Sequence, residues 1–388
     1  MQTHHIHIVV IARHYPPLIS GGARRVKLLV QALRETGARV SVIAPELSTG
    51  EDGIVVKHPS PQVDLSTHNA KMGIKDKIRT HILLPDPDIR WCLRAVNLVL
   101  QEWPAGIGWV ITTSPPESCH VAGYLIKKKL KCNWMADVRD FWLDYPLNEV
   151  RQKRIRRRIE AKIAKFLFPK ADIITAVSAQ MGDEVMKLSN CSAKHLPNFV
   201  EKYTNKSSYA AQSFNPKNIH FVYTGSFSLS DPNRKIDALI KEFEIAVMHS
   251  KNIIMHIVGA LTLAEREVVA RSYASSKIVT YGRVPYEDSR QLQNNADALL
   301  LTAAEHTHVI PGKLEEYLNT DLPIICVGNG PWRANLQRSS PRFISMSEFA
   351  TYKASFEEHQ SFRPSEAAEF LIKEMEKFST VISAKNKT

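Results

Sequence analysis

The chain has no stretch that approaches the ~20 uninterrupted apolar residues of a membrane-spanning helix, although 44% of its 388 residues are hydrophobic. Its five cysteines (Cys92, Cys119, Cys132, Cys191, Cys326) show no paired spacing. That scatter speaks against a zinc site or a disulfide framework and fits a reducing cytoplasm. The N-terminus runs straight into a strand-like segment, Ile6 to Ala12, without the layout of a secretory signal. No acidic cluster has metal-ligand spacing, and His4, His5 and His7 read as incidental to a terminus and a strand. Acidic residues are in deficit, 39 against 51 Lys and Arg, for a formal net charge of +12. Such a balance suggests an anionic partner: nucleic acid, an acidic membrane surface or a phosphorylated substrate. Nucleic acid is the weakest of these, because no recognition module with interleaved stacking aromatics is present.

What is present is a chain long enough for two domains, each with a sizeable core. Ile6 to Ile11 is a short apolar run suited to a buried parallel strand. Arg13-His14-Tyr15-Pro16-Pro17 follows, then Gly21-Gly22, then a helical pattern from Ala23 to Thr36 closed by Gly37. Val40 to Ala44 is the next strand. This βαβ unit carries its glycines at the carboxyl end of the first strand, where open α/β sheets bind ligands. Two adjacent glycines lack the three-glycine spacing of a dinucleotide fingerprint, so a nicotinamide cofactor is not expected. Trp109–Thr113 and Trp134–Val138 are further strands around a helix from Cys119 to Lys129. The second runs into Arg139-Asp140-Phe141-Trp142, so Asp137, Arg139 and Asp140 crowd one turn at a strand end. They either line a crevice or form a buried Asp–Arg pair that braces the loop.

Residues 151–170 form a strongly basic helical segment with Ile155, Ile159, Ile163 and Leu167 at every fourth position. Its apolar stripe can face the core while its cations, Arg151, Arg154, Arg157, Arg158, Lys162 and Lys165 among them, attract anionic lipid. Ala171 to Ser178 is a strand ending on a potential helix cap. His195-Leu196-Pro197-Asn198 closes the first domain, and the polar segment 201–217 reads as the linker.

The second half restarts the same grammar. Ile219–Gly225, Ile253–Gly259 and Ile278–Gly282 are apolar runs ending on glycine, and Ala296–Leu301 and Pro323–Val327 complete the set. Asp231-Pro232-Asn233-Arg234-Lys235 leads into a helix from Ile236 to Met248. Between the last two strands stands Ile310-Pro311-Gly312-Lys313-Leu314-Glu315-Glu316-Tyr317-Leu318. A Pro-Gly pair followed at once by helix formers delivers the chain onto a helix N-terminus, whose free amides favour an anion. Lys313 adds a cation there, and Glu315 and Glu316 offer acceptors for hydroxyls. Phosphate donors and sugar acceptors in one turn suit a nucleotide sugar; an ordinary helix start with solvated charges would look alike.

Taken in order, these motifs resemble the retaining glycosyltransferases of family 4. The resemblance rests on Tyr15-Pro16-Pro17 with Gly21-Gly22, Ser114-Pro115-Pro116 and Asp137-Val138-Arg139-Asp140-Phe141-Trp142. It continues through Ala171-Asp172 to Ser178, Pro197-Asn198, Gly282-Arg283-Val284-Pro285 and Pro311-Gly312-Lys313 with Glu316-Tyr317-Leu318. The Asp-Arg-Asp-aromatic-Trp variant looks like a subgroup common among bacterial surface-polysaccharide enzymes. The resemblance implies an α/β GT-B fold: two tandem Rossmann-like doubly wound domains facing across a cleft. It places an acceptor-binding domain at 1–205, a donor-binding domain at 206–364, and a helix within 365–388 crossing back to the first domain.

By the same resemblance, Gly21 and Gly22 lie against the donor diphosphate, and Arg234 or Lys235 clamps phosphate. Arg283 and Val284 flank the base, Glu316 holds the ribose hydroxyls, and Gly312 and Lys313 face sugar or phosphate. His308, with Glu305 nearby, stands where the family usually carries its first glutamate, so the donor sugar is left open. Asp140 or Asp137 is expected to orient the acceptor hydroxyl and Arg139 to stabilise phosphate. The implied activity is metal-independent sugar transfer without a cofactor. A nucleoside-diphosphate sugar serves as co-substrate, and the acceptor is a glycan or polyprenyl-linked molecule at the inner face of the cytoplasmic membrane. A sugar-nucleotide 2-epimerase of the same fold, or a non-catalytic binding subunit, are the competing readings.

Overall fold

The structure is a computed structural model that describes residues 6–18, 20–58, 82–143, 153–198, 214–231, 233–249, 252–304, 311–320, 322–328, 332–333, 343–344 and 373. The described residues up to 198 belong to one compact unit and those from 214 to 344 to a second. His4, His5, Arg151, Glu305, His308 and most of the expected linker lie outside the described residues, as does the expected C-terminal helix apart from Lys373.

In the first unit the elements run β1 (His7–Ile11), α1 (Gly21–Glu35), β2 (Arg39–Ala44), β3 (Gly53–Val55), α2 (Ile89–Glu102) and β4 (Trp109–Ser114). They continue with α3 (Ser118–Leu130), β5 (Asn133–Val138), α4 (Arg154–Leu167), β6 (Ile173–Ala176), α5 (Ala179–Ser189) and β7 (Lys194–His195). The strands stand in the order β3-β2-β1-β4-β5-β6-β7, every neighbouring pair parallel. Alternate side chains of one strand serve opposite faces. Ile8 and Val10 pack in one core with Val26, Leu29 and Leu33 of α1. Val9 and Ile11 pack in the other with Trp91 of α2, Ile126 of α3 and Leu167 of α4. A sheet covered on both faces explains why its strands are continuous apolar runs.

Two helix starts show how sequence fixes local structure. Ser178 caps α5 as expected, its Oγ accepting from the Met181 amide at 3.3 Å. Ser20 does the same for α1, accepting from Ala23 N at 3.1 Å. Because the cap is Ser20, the helix begins at Gly21 rather than at Ala23, and the glycine pair forms its first turn.

The basic helix departs from expectation. Its buried positions are Arg156, Glu160, Ala164 and Leu167, whereas Ile155 is 75% and Ile159 38% exposed. Arg156 Nε donates to Glu160 Oε1 at 2.5 Å, and its Nη2 donates to the Leu83 and Pro85 carbonyls at 2.7 Å. Trp142 Nε1 also donates to Glu160, at 3.1 Å. A buried ion pair with this many partners holds the inward side of the first half of the helix and turns Ile155 and Ile159 out, while Ile163 packs part-buried on the core and Leu167 is buried as expected.

The second unit runs β8 (Ile219–Thr224), α6 (Asp237–His249), β9 (Ile253–Val258), α7 (Leu263–Arg271), β10 (Ile278–Gly282) and α8 (Tyr286–Asn294). Then follow β11 (Ala298–Thr302), α9 (Lys313–Leu318), β12 (Ile324–Val327) and β13 (Phe343–Ile344). Its parallel sheet has the order β10-β9-β8-β11-β12-β13. Phe221, Tyr223 and Ile257 face one core with Leu239 and Phe243 of α6, and Val222 and Val258 face the other with Leu314 and Tyr317 of α9. Both units are therefore doubly wound. In each, chain order reverses beside the first strand, between β1 and β4 and between β8 and β11. Ligands of such sheets bind outside the carboxyl ends of the strands at that reversal.

Candidate functional site

At the β1/β4 reversal of the first unit stands Arg139, the first residue after β5. Its Nε donates to the Ser114 carbonyl at 3.0 Å and its Nη1 to the Gly22 carbonyl at 2.9 Å. The guanidinium thus links the end of β4 to the first turn of α1. A Cβ built on Gly22 would come within 2.8 Å of Nη1, while one on Gly21 meets nothing. Gly22 is small because an arginine lies against it, and Gly21 leaves its side of the helix start open. Nη2 of Arg139 has no hydrogen-bond partner among the described residues. Burial first, and then the Arg25 charge, lower the Arg139 pKa below its ordinary value. A partly desolvated cation beside free helix-start amides is a place for an anion.

Beneath it, Asp137 is 1% exposed. Arg25 Nη1 donates to its Oδ2 at 2.6 Å and Nη2 to its Oδ1 at 3.4 Å. The register places Thr113, Asp137 and Thr175 in one row across β4, β5 and β6. Both threonine hydroxyls donate to the carboxylate, at 3.2 and 2.9 Å. Burial alone would raise the Asp137 pKa, but Arg25, Arg139 and these hydrogen bonds bring it below the usual carboxylate value. With both oxygens engaged, Asp137 is not placed to receive a substrate hydroxyl. It is the bracing carboxylate weighed above, and its partner is Arg25 rather than Arg139. Asp140 is half-buried beside Arg139, whose proton its charge helps retain.

Sequence reasoning missed four more groups at this edge. Arg13 and His14 leave β1 there, and Asp88 accepts from Arg13 Nε at 3.4 Å and pairs with His58 Nε2 at 2.6 Å. Burial, then the Arg139 and Arg13 charges, push His14 down to about 4, against the pull of Asp88. His14 is accordingly a neutral imidazole near neutral pH. The only sequence signal was its place directly after an apolar strand. Arg25 gave no signal at all, since it lies far from Asp137 along the chain.

In the second unit the reversal between β8 and β11 is occupied by Lys313, the first residue of α9. Its Cε lies 3.8 Å from a Cβ built on Gly225, the residue that follows β8. Nζ pairs with Glu316 Oε2 at 3.0 Å. The Glu316 side chain is 14% exposed and that of Lys313 36%. The next residue, Tyr317, is fully buried, and its hydroxyl accepts from Thr224 N at 3.0 Å and shares a hydrogen bond with Thr224 Oγ1 at 3.1 Å. Arg290 Nη1 donates to the Glu316 carbonyl at 2.9 Å. Lys313 and Glu316 are therefore held on a rigid turn tied to the end of β8. This helix has six residues, so its dipole is small, and the positive charge comes from Lys313 itself rather than from the helix end as expected.

The other expected donor residues are spread along the same carboxyl edge. Arg234 is half-buried in the loop after β8, with Nη1 donating to Ser230 Oγ at 3.2 Å and to the Ser226 carbonyl at 3.4 Å. Lys235 is exposed beside it. Arg283 and Val284 follow β10, the outermost strand, where Arg283 is exposed and Val284 packs on the α9-side core. Gly312 is the cap residue of α9, with no side-chain cap bond.

Comparison with known proteins bears on this arrangement. Residues 20–196 match the family model of the glycosyl transferase 4-like domain. No curated protein sequence matches. Among solved structures, a sucrose-phosphate synthase from Thermosynechococcus elongatus superposes with a TM-score of 0.64 at 12% identity, covering 98% of each chain. A putative UDP-N-acetylglucosamine 2-epimerase from Listeria monocytogenes gives 0.61 at 12% identity, covering 99% of this chain and 98% of its own. HepE of Anabaena, in complex with UDP-glucose, gives 0.60 at 10% identity, covering 98% of this chain and 100% of its own. At these identities the three structures speak for a shared fold, that of two Rossmann-like domains.

Proposed function

We propose that this chain, a family 4-like glycosyltransferase by the domain at residues 20–196 and by its GT-B fold, moves a sugar from a nucleoside-diphosphate donor to a glycan or lipid-linked acceptor. The observation that carries the reading is the cation standing at each strand-order reversal, Arg139 in the first unit and Lys313 in the second. Departure of a nucleoside diphosphate builds negative charge, and fixed cations in partly desolvated surroundings stabilise it without reorganising. Lys313 faces the diphosphate, with Arg234 and Lys235 further along the same edge. Glu316, accepting from Lys313, turns its carboxylate to the ribose hydroxyls. Gly312 faces the sugar, and Arg283 and Val284 flank the base.

In the first unit Arg139 and the amides at Gly21 and Gly22 take phosphate oxygens, and Asp140 orients the acceptor hydroxyl. Asp137 positions Arg139's loop through Arg25. The anomeric configuration is retained, and neither metal nor cofactor takes part. The basic segment 151–170 keeps the enzyme at the inner, cytoplasmic face of a membrane, where a polyprenyl-linked acceptor of surface-polysaccharide assembly resides.

A second reading, sugar-nucleotide 2-epimerisation, is favoured by the likeness to the Listeria protein. Incubation of the chain with donor alone separates them, followed by NMR of the sugar. A transferase leaves the donor's sugar unchanged, apart from slow hydrolysis, until an acceptor is added. Conversion to the 2-epimer without acceptor would overturn the transferase reading.

A further inference from the structure

Three polar side chains that the chemistry above does not use form one row across β8, β9 and β10. His220 and His256 are 5% and 4% exposed. His220 Nε2 lies 2.9 Å from the Asn215 carbonyl oxygen, and its Nδ1 lies 2.8 Å from His256 Nε2. His256 Nδ1 in turn lies 3.0 Å from the Tyr281 hydroxyl. No carboxylate bonds either ring among the described residues, and both imidazoles are neutral in this burial. A carbonyl only accepts, so His220 carries its hydrogen on Nε2 and accepts at Nδ1. His256 then donates through Nε2, which leaves its Nδ1 to accept from Tyr281. One carbonyl thus sets every proton in the row. The Phe214 ring covers it, stacked at 4.4 Å on His220 and at 4.1 Å on His256.

Tyr281 reaches this row because β10 is irregular there. Thr280 pairs with Ile257 and Gly282 with Val258, so Tyr281 is the extra residue of a bulge. Bulges re-aim a side chain and are frequent beside functional sites. Gly282 follows at φ +68, in the left-handed region that favours glycine, and bridges back to Gly259. Arg283 and Val284 come next, and Val284 packs with Tyr281 and Phe214 on the α9-side core. β10 is the outermost strand, so only β9 holds this end of it within the described sheet.

We infer that Tyr281, anchored through His256 and His220 on the Asn215 carbonyl, is a positioning residue for the donor base. It pins the bulge from which Gly282, Arg283 and Val284 leave the sheet, and so fixes the segment against which the base lies. Apolar side chains would fill this space without four polar partners to satisfy. A directed row of hydrogen bonds instead specifies one geometry. The inference rests on the proposed place of Arg283 and Val284 beside the base, and its test separates the two.

The test is calorimetric titration of UDP, GDP, ADP and CDP into the full chain, into Tyr281→Phe and into His256→Gln. Inorganic pyrophosphate, which has no base, is read by its displacement of the bound nucleotide. Each variant should bind the preferred nucleotide about fivefold more weakly, the worth of one hydrogen bond, and should discriminate less among the four bases. Displacement by pyrophosphate should be unchanged, because Lys313 stands on another element. Nitrogen-15 spectra of the histidine rings should show His220 and His256 both protonated on Nε2 in wild type. Unaltered nucleotide affinity and base preference in both variants would overturn the inference and leave the donor reading standing. An equal loss for pyrophosphate would also overturn it, since that marks a role in the fold alone. A hydrogen on Nδ1 of either ring would break the row itself. Wild type that binds none of the four nucleotides would sink the donor reading, and the inference with it.

Discussion

Asp137 shows how burial decides a role that residue type leaves open. A carboxylate beside a cleft loop reads as catalytic, yet this one accepts from a buried arginine and two threonines. Asp137→Asn leaves Arg25 charged, buried and short of its partner, and we expect a loss of about 3–5 kcal/mol of stability, read by urea denaturation. A catalytic acid or base would instead lose activity with its fold intact. Gly22→Ala makes the opposite prediction. Its methyl meets only the end of the Arg139 side chain at 2.8 Å, which can swing away. Stability should change by less than about 1 kcal/mol while turnover falls at least tenfold, as seen in thermal unfolding and in a transfer assay.

Two buried histidines set a pH dependence at the same scale. His120 accepts or donates through Nδ1 to Thr112 Oγ1 at 2.9 Å among aromatic rings, and burial lowers it to about 4. His256 bonds His220 Nδ1 at 2.8 Å and the Tyr281 hydroxyl at 3.0 Å under the stacked Phe214 ring, and burial with the His220 neighbour brings it to about 4. An unfolded histidine protonates near 6.5, so between there and about 4 the unfolded chain binds more protons than the folded one. The stability these groups contribute is complete above about pH 6.5 and is lost as pH falls toward 4. Near pH 5 the loss is on the order of 2 kcal/mol for each group. Thermal unfolding midpoints should drop from pH 7 to pH 5, and His120→Gln should shrink that drop. A midpoint independent of pH would contradict the assignment.

At the scale of elements, strands were legible because a strand buried on both faces has to be a short apolar run between glycines and polar turns. Helix faces were less so. In α4 an isoleucine at every fourth position announces a buried stripe, but the pattern is blind to an ion pair. Arg156 and Glu160, with two carbonyls and Trp142, fill the inward side of its first half, and only Ile163 and Leu167 of the stripe reach the core. Arg25 was invisible for a related reason, because nothing local marks a side chain whose partner is contributed by a distant strand. The α9 turn was half legible: Pro311-Gly312 did mark a helix start, yet nothing in the sequence said that it would run only to Leu318. Strand ends carry a further prediction. Gly259 has φ +151, and a Cβ there would collide with the Gly225 carbonyl oxygen. Gly259→Ala should therefore disrupt the carboxyl edge of β8 and β9, costing several kcal/mol of stability and nucleotide-sugar binding with it.

At the scale of the molecule, two sheets of one winding each put a cation where strand order reverses. That repetition is what the sequence's two runs of alternating apolar strands and helices foretold, while His308, expected to bear on the donor sugar, lies outside the described residues. The positive balance of the chain, +12 overall, serves three anionic surroundings in this account: donor phosphates at Lys313, phosphate at Arg139 and lipid at α4.

The most direct test of the central claim is calorimetric titration of UDP-, GDP-, ADP- and CDP-sugars into wild type and into a Lys313→Ala, Glu316→Ala double variant. One class of nucleotide sugar should bind wild type, and the double variant should lose at least about tenfold to a hundredfold in affinity, as expected for a lost charge-assisted contact, with its unfolding midpoint unchanged. Equal binding by both proteins, or no binding of any nucleotide sugar to wild type, would contradict the account.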